Sequence, residues 1–175
     1  MLIDPFSKKL LDGNSRNVPI SLMYHSITSE KPSSAKPWSI PLKQFIKQLD
    51  ILQEYGWTTV CAKQLSTPFD KLPEKTVVIT FDDGFSNNFS AFKELLKRNM
   101  VASWFIVTQD IGNISSWSDP DANPAKLLDK EQLFDMHSAG MEIGSHTLSH
   151  CKLTSLSGKQ IENELTQSRY FLSDI

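Results

Sequence analysis

The sequence lacks several features that would mark whole classes of protein. No run approaches the roughly 18 consecutive apolar residues that cross a bilayer, so we expect no transmembrane segment. It contains no basic block and its formal net charge is −2, which argues against a nucleic-acid partner. The two cysteines, Cys61 and Cys151, are too few for a disulfide framework. Internal repeats and low-complexity segments are also missing, so a repeat architecture is not expected.

The start of the chain shows no targeting signal. Residues 1–17 are dotted with charges and contain no apolar stretch of signal-peptide length, so the sequence as written predicts a cytoplasmic protein. A leader missing from the sequence would leave the same pattern. We expect residues 1–17 to be irregular and residues 18–175 to form one domain, because 39% hydrophobic and 22% charged residues are ordinary for a globular protein.

Strand and helix patterns alternate along the chain, which favours an α/β fold with a largely parallel sheet. The predicted strands are 18–24, 57–62, 76–81, 101–108 and 141–145, and the first of them is expected to be buried. The predicted helices are 42–56, 86–100, 129–138 and 157–172. Two of these helices begin with capping boxes, formed by Asp129 with Gln132 and by Ser157 with Gln160.

Two adjacent acids, Asp82 and Asp83, follow the most hydrophobic predicted strand. In parallel α/β folds the chemistry lies at the carboxyl ends of the strands, where these acids stand. Neighbouring side chains point in different directions, so one acid can bind a metal while the other takes a proton from a water molecule. The alternative is that the pair only caps the next helix, although a cap needs a single acid.

Histidines follow two other predicted strands. His146 and His150 are four residues apart, and one helical turn would place both imidazoles on the same side. Together with a carboxylate they would form a three-ligand metal site with open positions for water; the alternative is a pair of solvent-facing loop histidines. His25 ends the first strand at the same rim, either as a catalytic group or as a hydrogen-bonded structural residue. Cys151 is expected to pack, with a role as a soft extra ligand as the alternative.

The motifs TFDDGF (80–85) and HTLSH (146–150) resemble the first two motifs of the polysaccharide deacetylases, the NodB-homology or carbohydrate esterase family 4 domains. The segments VPISLMYHSI (18–27) and FIV (105–107) are similar to the poly-N-acetylglucosamine deacetylase branch of that family. The resemblance extends over about residues 18–172. It implies a distorted (β/α) barrel.

The resemblance also implies an activity and a role for each residue. Asp82 would be the general base, and Asp83, His146 and His150 would hold one divalent transition metal. Zinc is the first expectation, with nickel, cobalt or iron as alternatives, because imidazole and carboxylate ligands discriminate poorly among them. His25 would be the general acid. The implied reaction is hydrolysis of the N-acetyl amide of an N-acetylglucosamine polymer or oligomer, which releases acetate.

The sequence departs from the family pattern at its end. Family members continue with a further motif and one or two strand–helix units, whereas this chain stops at RYFLSDI. We therefore expect a barrel without its C-terminal strands, whose open edge would allow self-association. Family members are commonly extracytoplasmic, so the resemblance leaves the compartment open.

Other interpretations of the function remain open. One is a metal amidohydrolase that acts on a small non-sugar amide, and another is a truncated, non-catalytic sugar-binding remnant. Trp38 and Trp117 are candidates for stacking on sugar rings, with loop packing as the alternative.

Overall fold

The computed structural model describes residues 18–29, 38–117 and 124–175. The segment 1–17, predicted to be irregular, lies outside the described residues. Within the part that is described, no helix combines the length and hydrophobicity needed to cross a bilayer.

Seven strands and four α-helices form the described part of the chain. The strands are β1 (Ile20–Tyr24), β2 (Ser26–Thr28), β3 (Ser39–Pro41), β4 (Thr58–Val60), β5 (Thr76–Phe81), β6 (Ser103–Ile106) and β7 (Glu142–Ser145). The helices are α1 (Leu42–Glu54), α2 (Phe89–Leu96), α3 (Lys130–Ser138) and α4 (Gly158–Leu172). Both predicted capping boxes are present, at the starts of α3 and α4.

The main sheet is parallel throughout and is built around β5. Strand β1 pairs along one side of β5, while β4 pairs with the start and β6 with the end of the opposite side. Strand β7 pairs with β6. The predicted α/β fold with a parallel sheet is therefore confirmed. Among the described strands, β1 and β7 lie at the two edges, so the sheet is open between them.

Strand β5 is central because its β-branched side chains are covered on both faces. Val77, Val78 and Ile79 are at most 1% exposed, as expected for a strand buried in a parallel sheet. Its last residue, Phe81, stacks on Trp104 of β6 with ring centroids 4.6 Å apart, and it also contacts the ring of Phe45 from α1. An aromatic core therefore lies directly beneath the carboxyl end of β5.

The start of the chain differs from the prediction in two ways. The first strand was predicted to be buried, but β1 alternates between half-buried and exposed positions because it is an edge strand, and Met23 is 57% exposed. Strands β2 and β3 were not predicted, and they form a separate two-stranded parallel ladder. Three-residue strands carry too short a pattern to be recognised from the sequence.

The predicted helix 86–100 also has different bounds. Residues Ser86–Asn88 form a 3₁₀ turn, and α2 follows it from Phe89 to Leu96.

Leu49 offers a test of the α1 packing. It is fully buried, so Leu49→Ala should leave a cavity and lower the free energy of unfolding by about 2–5 kcal/mol. Lys47→Ala, at an exposed position on the same helix, should change it by no more than about 0.5 kcal/mol. Urea unfolding measures both values. Equal effects of the two substitutions would contradict the placement of Leu49 in the core.

Candidate active site

The two acids lie in a tight turn that continues β5. The Asp82 N–H donates to the Tyr24 carbonyl at 2.9 Å, which extends the pairing of β1 with β5 by one residue. Asp83 then adopts a φ of 70° and Gly84 a φ of 85°, both in the left-handed region. A Cβ at Gly84 would lie 3.1 Å from Ile106 Cδ1, so a side chain there would be strained by the φ and would crowd Ile106.

This turn gives the two carboxylates different surroundings. Asp83 is only 6% exposed, whereas Asp82 is half-buried. The backbone conformation therefore places the two adjacent carboxylates in different surroundings.

Asp83 faces two imidazoles. Its Oδ1 atom lies 3.2 Å from His150 Nε2 and 3.5 Å from His146 Nε2, and the three possible ligand atoms all lie within 4.8 Å of one another. Among the described residues no hydrogen-bond donor reaches this buried oxygen. A buried carboxylate oxygen without a donor is costly, and a divalent cation would satisfy it. One carboxylate and two imidazoles are also a donor set that transition metals accept, so these residues fit a metal ion.

The segment that carries the two histidines is not a helical turn, so that expectation was wrong. The His146 N–H donates to the Ile106 carbonyl at 2.8 Å, which anchors the segment at the end of β7. Thr147 and His150 then take φ values of 68° and 60°. Such left-handed residues cost on the order of 1–3 kcal/mol each and persist only where other contacts hold them. The two imidazoles meet through this strained loop.

Burial and nearby charges shift the pKa values of the site. Burial raises the pKa of Asp82 and the Asp83 charge adds to this rise, while His146, His25 and His150 act in the opposite direction. Burial lowers the pKa of His146, against the opposing effect of the two acids. His146 is therefore biased towards the neutral imidazole that binds metals, and Asp82 towards a stronger proton acceptor than an ordinary aspartate.

His25 lies in the bend between β1 and β2, where a buried asparagine fixes the backbone. Asn88 is 0% exposed; its Nδ2 donates to the His25 carbonyl at 2.7 Å, and its Oδ1 accepts from the Ile27 N–H at 2.9 Å. Asn88 was not singled out from the sequence. Asn88 lies five residues after Asp83, and nothing in the sequence indicates that it contacts Ile27 and His25, which lie 61 and 63 positions before it.

The two tryptophans lie beside different histidines. The ring of Trp117 is 4.8 Å from that of His150, and the ring of Trp38 is 5.1 Å from that of His25. Trp38 remains 57% exposed. Both aromatic surfaces therefore adjoin the candidate site.

Glu164 on α4 is a second residue that was not singled out from the sequence. Burial opposes its ionisation, but hydrogen bonds from Ser149, Cys151 and Leu148 outweigh this effect and lower the pKa of Glu164. Cys151 thus contacts this carboxylate, and it is not part of the ligand group found among the described residues. The sequence does contain one indication of this contact: Glu164 and Ser168 are four residues apart, so they lie on one face of the predicted helix. In the structure both residues are buried.

A family model described as polysaccharide deacetylase matches residues 69–175. The chain belongs to the polysaccharide deacetylase family. The resemblance drawn from TFDDGF and HTLSH is thereby confirmed, and both motifs lie inside the matched range.

Individual relatives agree with this assignment. YxkH of Bacillus subtilis (strain 168) is 34% identical over 152 residues, which are 85% of this chain and 49% of YxkH. A chitin deacetylase of Pestalotiopsis sp is 32% identical over 101 residues, which are 57% of this chain and 30% of that protein. The structure of BC0361, a polysaccharide deacetylase from Bacillus cereus, shares the fold at 24% identity with a TM-score of 0.73, over 89% of this chain and 46% of that chain. The chain thus spans about half the length of YxkH and of BC0361.

The role of Asn88 can be tested through stability. Asn88→Ala removes the partner of the Ile27 N–H and of the His25 carbonyl, and an unsatisfied buried group costs roughly 1–3 kcal/mol. Asn87→Ala removes only an exposed hydrogen bond to Ser26 and should cost no more than about 0.5 kcal/mol. Chemical unfolding compares the two variants. A loss in Asn88→Ala as small as that in Asn87→Ala would contradict the anchoring of the His25 bend.

Proposed function

We propose that the protein is a metal-dependent N-deacetylase that hydrolyses the N-acetyl amide of an N-acetylglucosamine-containing polysaccharide or oligosaccharide. The observation that carries this proposal is the buried Asp83 oxygen, which lies 3.2 and 3.5 Å from two imidazole nitrogens and has no hydrogen-bond donor among the described residues. Membership of the polysaccharide deacetylase family supports the reaction type.

Asp83, His146 and His150 would hold one divalent transition metal. Zinc is the first choice, and nickel, cobalt or iron suit the same donors. Such an ion, when bound, polarises the amide carbonyl and lowers the pKa of a coordinated water. Three protein ligands leave positions open for water and substrate, as catalytic sites require.

Asp82 and His25 would move the protons. Asp82 follows the ligand Asp83 directly, is half-buried and has a raised pKa, so it suits the general base that takes a proton from the attacking water. His25 lies close enough to influence the pKa of Asp82, and it would donate a proton to the leaving sugar amine. Cleavage of the C–N bond then yields acetate and a free amino sugar.

Sugar polymers are favoured as substrates by two observations. The relative from Pestalotiopsis sp is named a chitin deacetylase. The rings of Trp38 and Trp117 lie beside His25 and His150, where an aromatic face could stack against the apolar face of a sugar ring.

Substitution of each acid tests the division of roles. Asp82→Asn should retain the metal and lower the rate of acetate release by about 10²–10⁴-fold, the usual contribution of a general base. Asp83→Asn should lose the metal. The exposed Asp135→Asn serves as the matched control and should change neither property. Metal analysis and an acetate assay measure both. Loss of metal in Asp82→Asn but not in Asp83→Asn would reverse the two roles, and unchanged turnover in Asp82→Asn would exclude it as the base.

A substrate panel tests the proposed reaction. Acetate release from chitooligosaccharides should stop when a chelator removes the metal and should return when zinc or cobalt is added, because the ion supplies the Lewis acidity. Turnover of small N-acetyl amides without any turnover of oligosaccharides would favour the amidohydrolase alternative. Stoichiometric metal binding with sugar binding, but without acetate release, would favour a non-catalytic remnant.

A further inference from the structure

We propose that Glu164 of α4 is a positioning residue that holds the loop 146–150 in the conformation in which His146 and His150 both face Asp83. This inference rests on the proposed function, in which these two histidines hold a metal. It concerns the shape of the loop before any ion binds, so it can be tested separately.

Glu164 binds the middle of the loop with both carboxylate oxygens. Its Oε2 accepts from the N–H groups of Leu148 and Ser149, each at 3.0 Å, and its Oε1 accepts from Ser149 Oγ at 2.7 Å. The side chain is only 9% exposed. A carboxylate suits this place because it only accepts hydrogen bonds, so all three loop donors can be satisfied at once.

The two N–H groups converge because of the backbone on either side of them. Leu148 and Ser149 lie between the left-handed residues Thr147 and His150. Consecutive N–H groups in such a segment form a concave anion site, and here the anion is the Glu164 side chain of the same protein. Hydrogen bonds to an ionised acceptor are stronger than neutral ones, so they can hold a conformation that a threonine would otherwise avoid.

A second residue of α4 supports the first part of the loop. Ser168, one helical turn after Glu164 and fully buried, donates from Oγ to the Thr147 carbonyl at 3.1 Å and also contacts Ser145 Oγ. One face of α4 thus offers an acceptor for loop N–H groups and a donor for a loop carbonyl. Glu164 is separate from the ligand group of Asp83, His146 and His150, so its effect on a metal would pass through the loop backbone.

The direct test follows amide hydrogen exchange in the metal-free protein. In Glu164→Ala the Leu148 and Ser149 amides should exchange at least about tenfold faster, because the loop can then open without breaking hydrogen bonds from these amides to a carboxylate. Glu164→Gln, which keeps the shape and one acceptor oxygen, should lie between Glu164→Ala and the wild type. The matched control is Glu162→Ala, at an exposed position of the same helix, which should leave both amides unchanged. Amides of β5 report whether each variant keeps its fold.

A second measurement links the loop to the ligands. Cobalt binding, followed by its visible absorption, should weaken roughly 10–100-fold in Glu164→Ala, the usual effect of removing a group that orients a metal ligand. Glu162→Ala should bind cobalt as the wild type does.

The outcomes separate the two proposals. Unchanged exchange of the Leu148 and Ser149 amides in Glu164→Ala would overturn the inference, and so would faster exchange with unchanged cobalt affinity. A wild type that binds no cobalt or zinc would overturn the proposed function, while the exchange measurement would still decide whether Glu164 orders the loop.

Discussion

The site depends on one buried carboxylate, that of Asp83. Its Oδ1 atom lies between two imidazoles and accepts no hydrogen bond from the described residues. The backbone of Asp83 is also in the left-handed region. Both features cost free energy, so the surrounding structure must enforce them. Strand β5 does so, because it is paired on both sides and its side chains are buried on both faces. The buried strand therefore holds Asp83 in a position that would be unfavourable without the surrounding structure.

The same turn explains how two neighbouring acids acquire different chemistry. Asp82 still follows the strand geometry, since its N–H pairs with the end of β1, and its carboxylate remains half-buried. Asp83 departs from that geometry and turns into the protein, towards the end of β7. The left-handed turn at Asp83 and Gly84 thus places one carboxylate among the imidazoles, while the other stays beside them with a pKa that burial raises.

Much of this arrangement could be predicted from the sequence because it follows from strong local patterns. The β-branched run of β5 and the apolar spacing of α1 identify buried elements without any tertiary information. A parallel sheet then brings its carboxyl ends to one rim, so acids and histidines more than 60 residues apart were expected to meet there. The family model matches the range that contains both motifs, which agrees with the resemblance drawn from them. The roles of the individual residues are a further step, which rests on the proposed chemistry.

The part that could not be predicted depends on contacts between distant residues. The spacing of His146 and His150 suits a helical turn equally well, and the loop that occurs instead is stabilised by Glu164 from a later helix. The bend that carries His25 likewise depends on Asn88, which belongs to the turn after the acidic motif. In both cases a buried polar side chain satisfies backbone groups that the loop cannot satisfy by itself. Because the partner lies in a different element, no local pattern reveals it. The hydrophobic strands thus determine where the reactive groups lie, while the polar side chains of neighbouring elements determine how the loops present them.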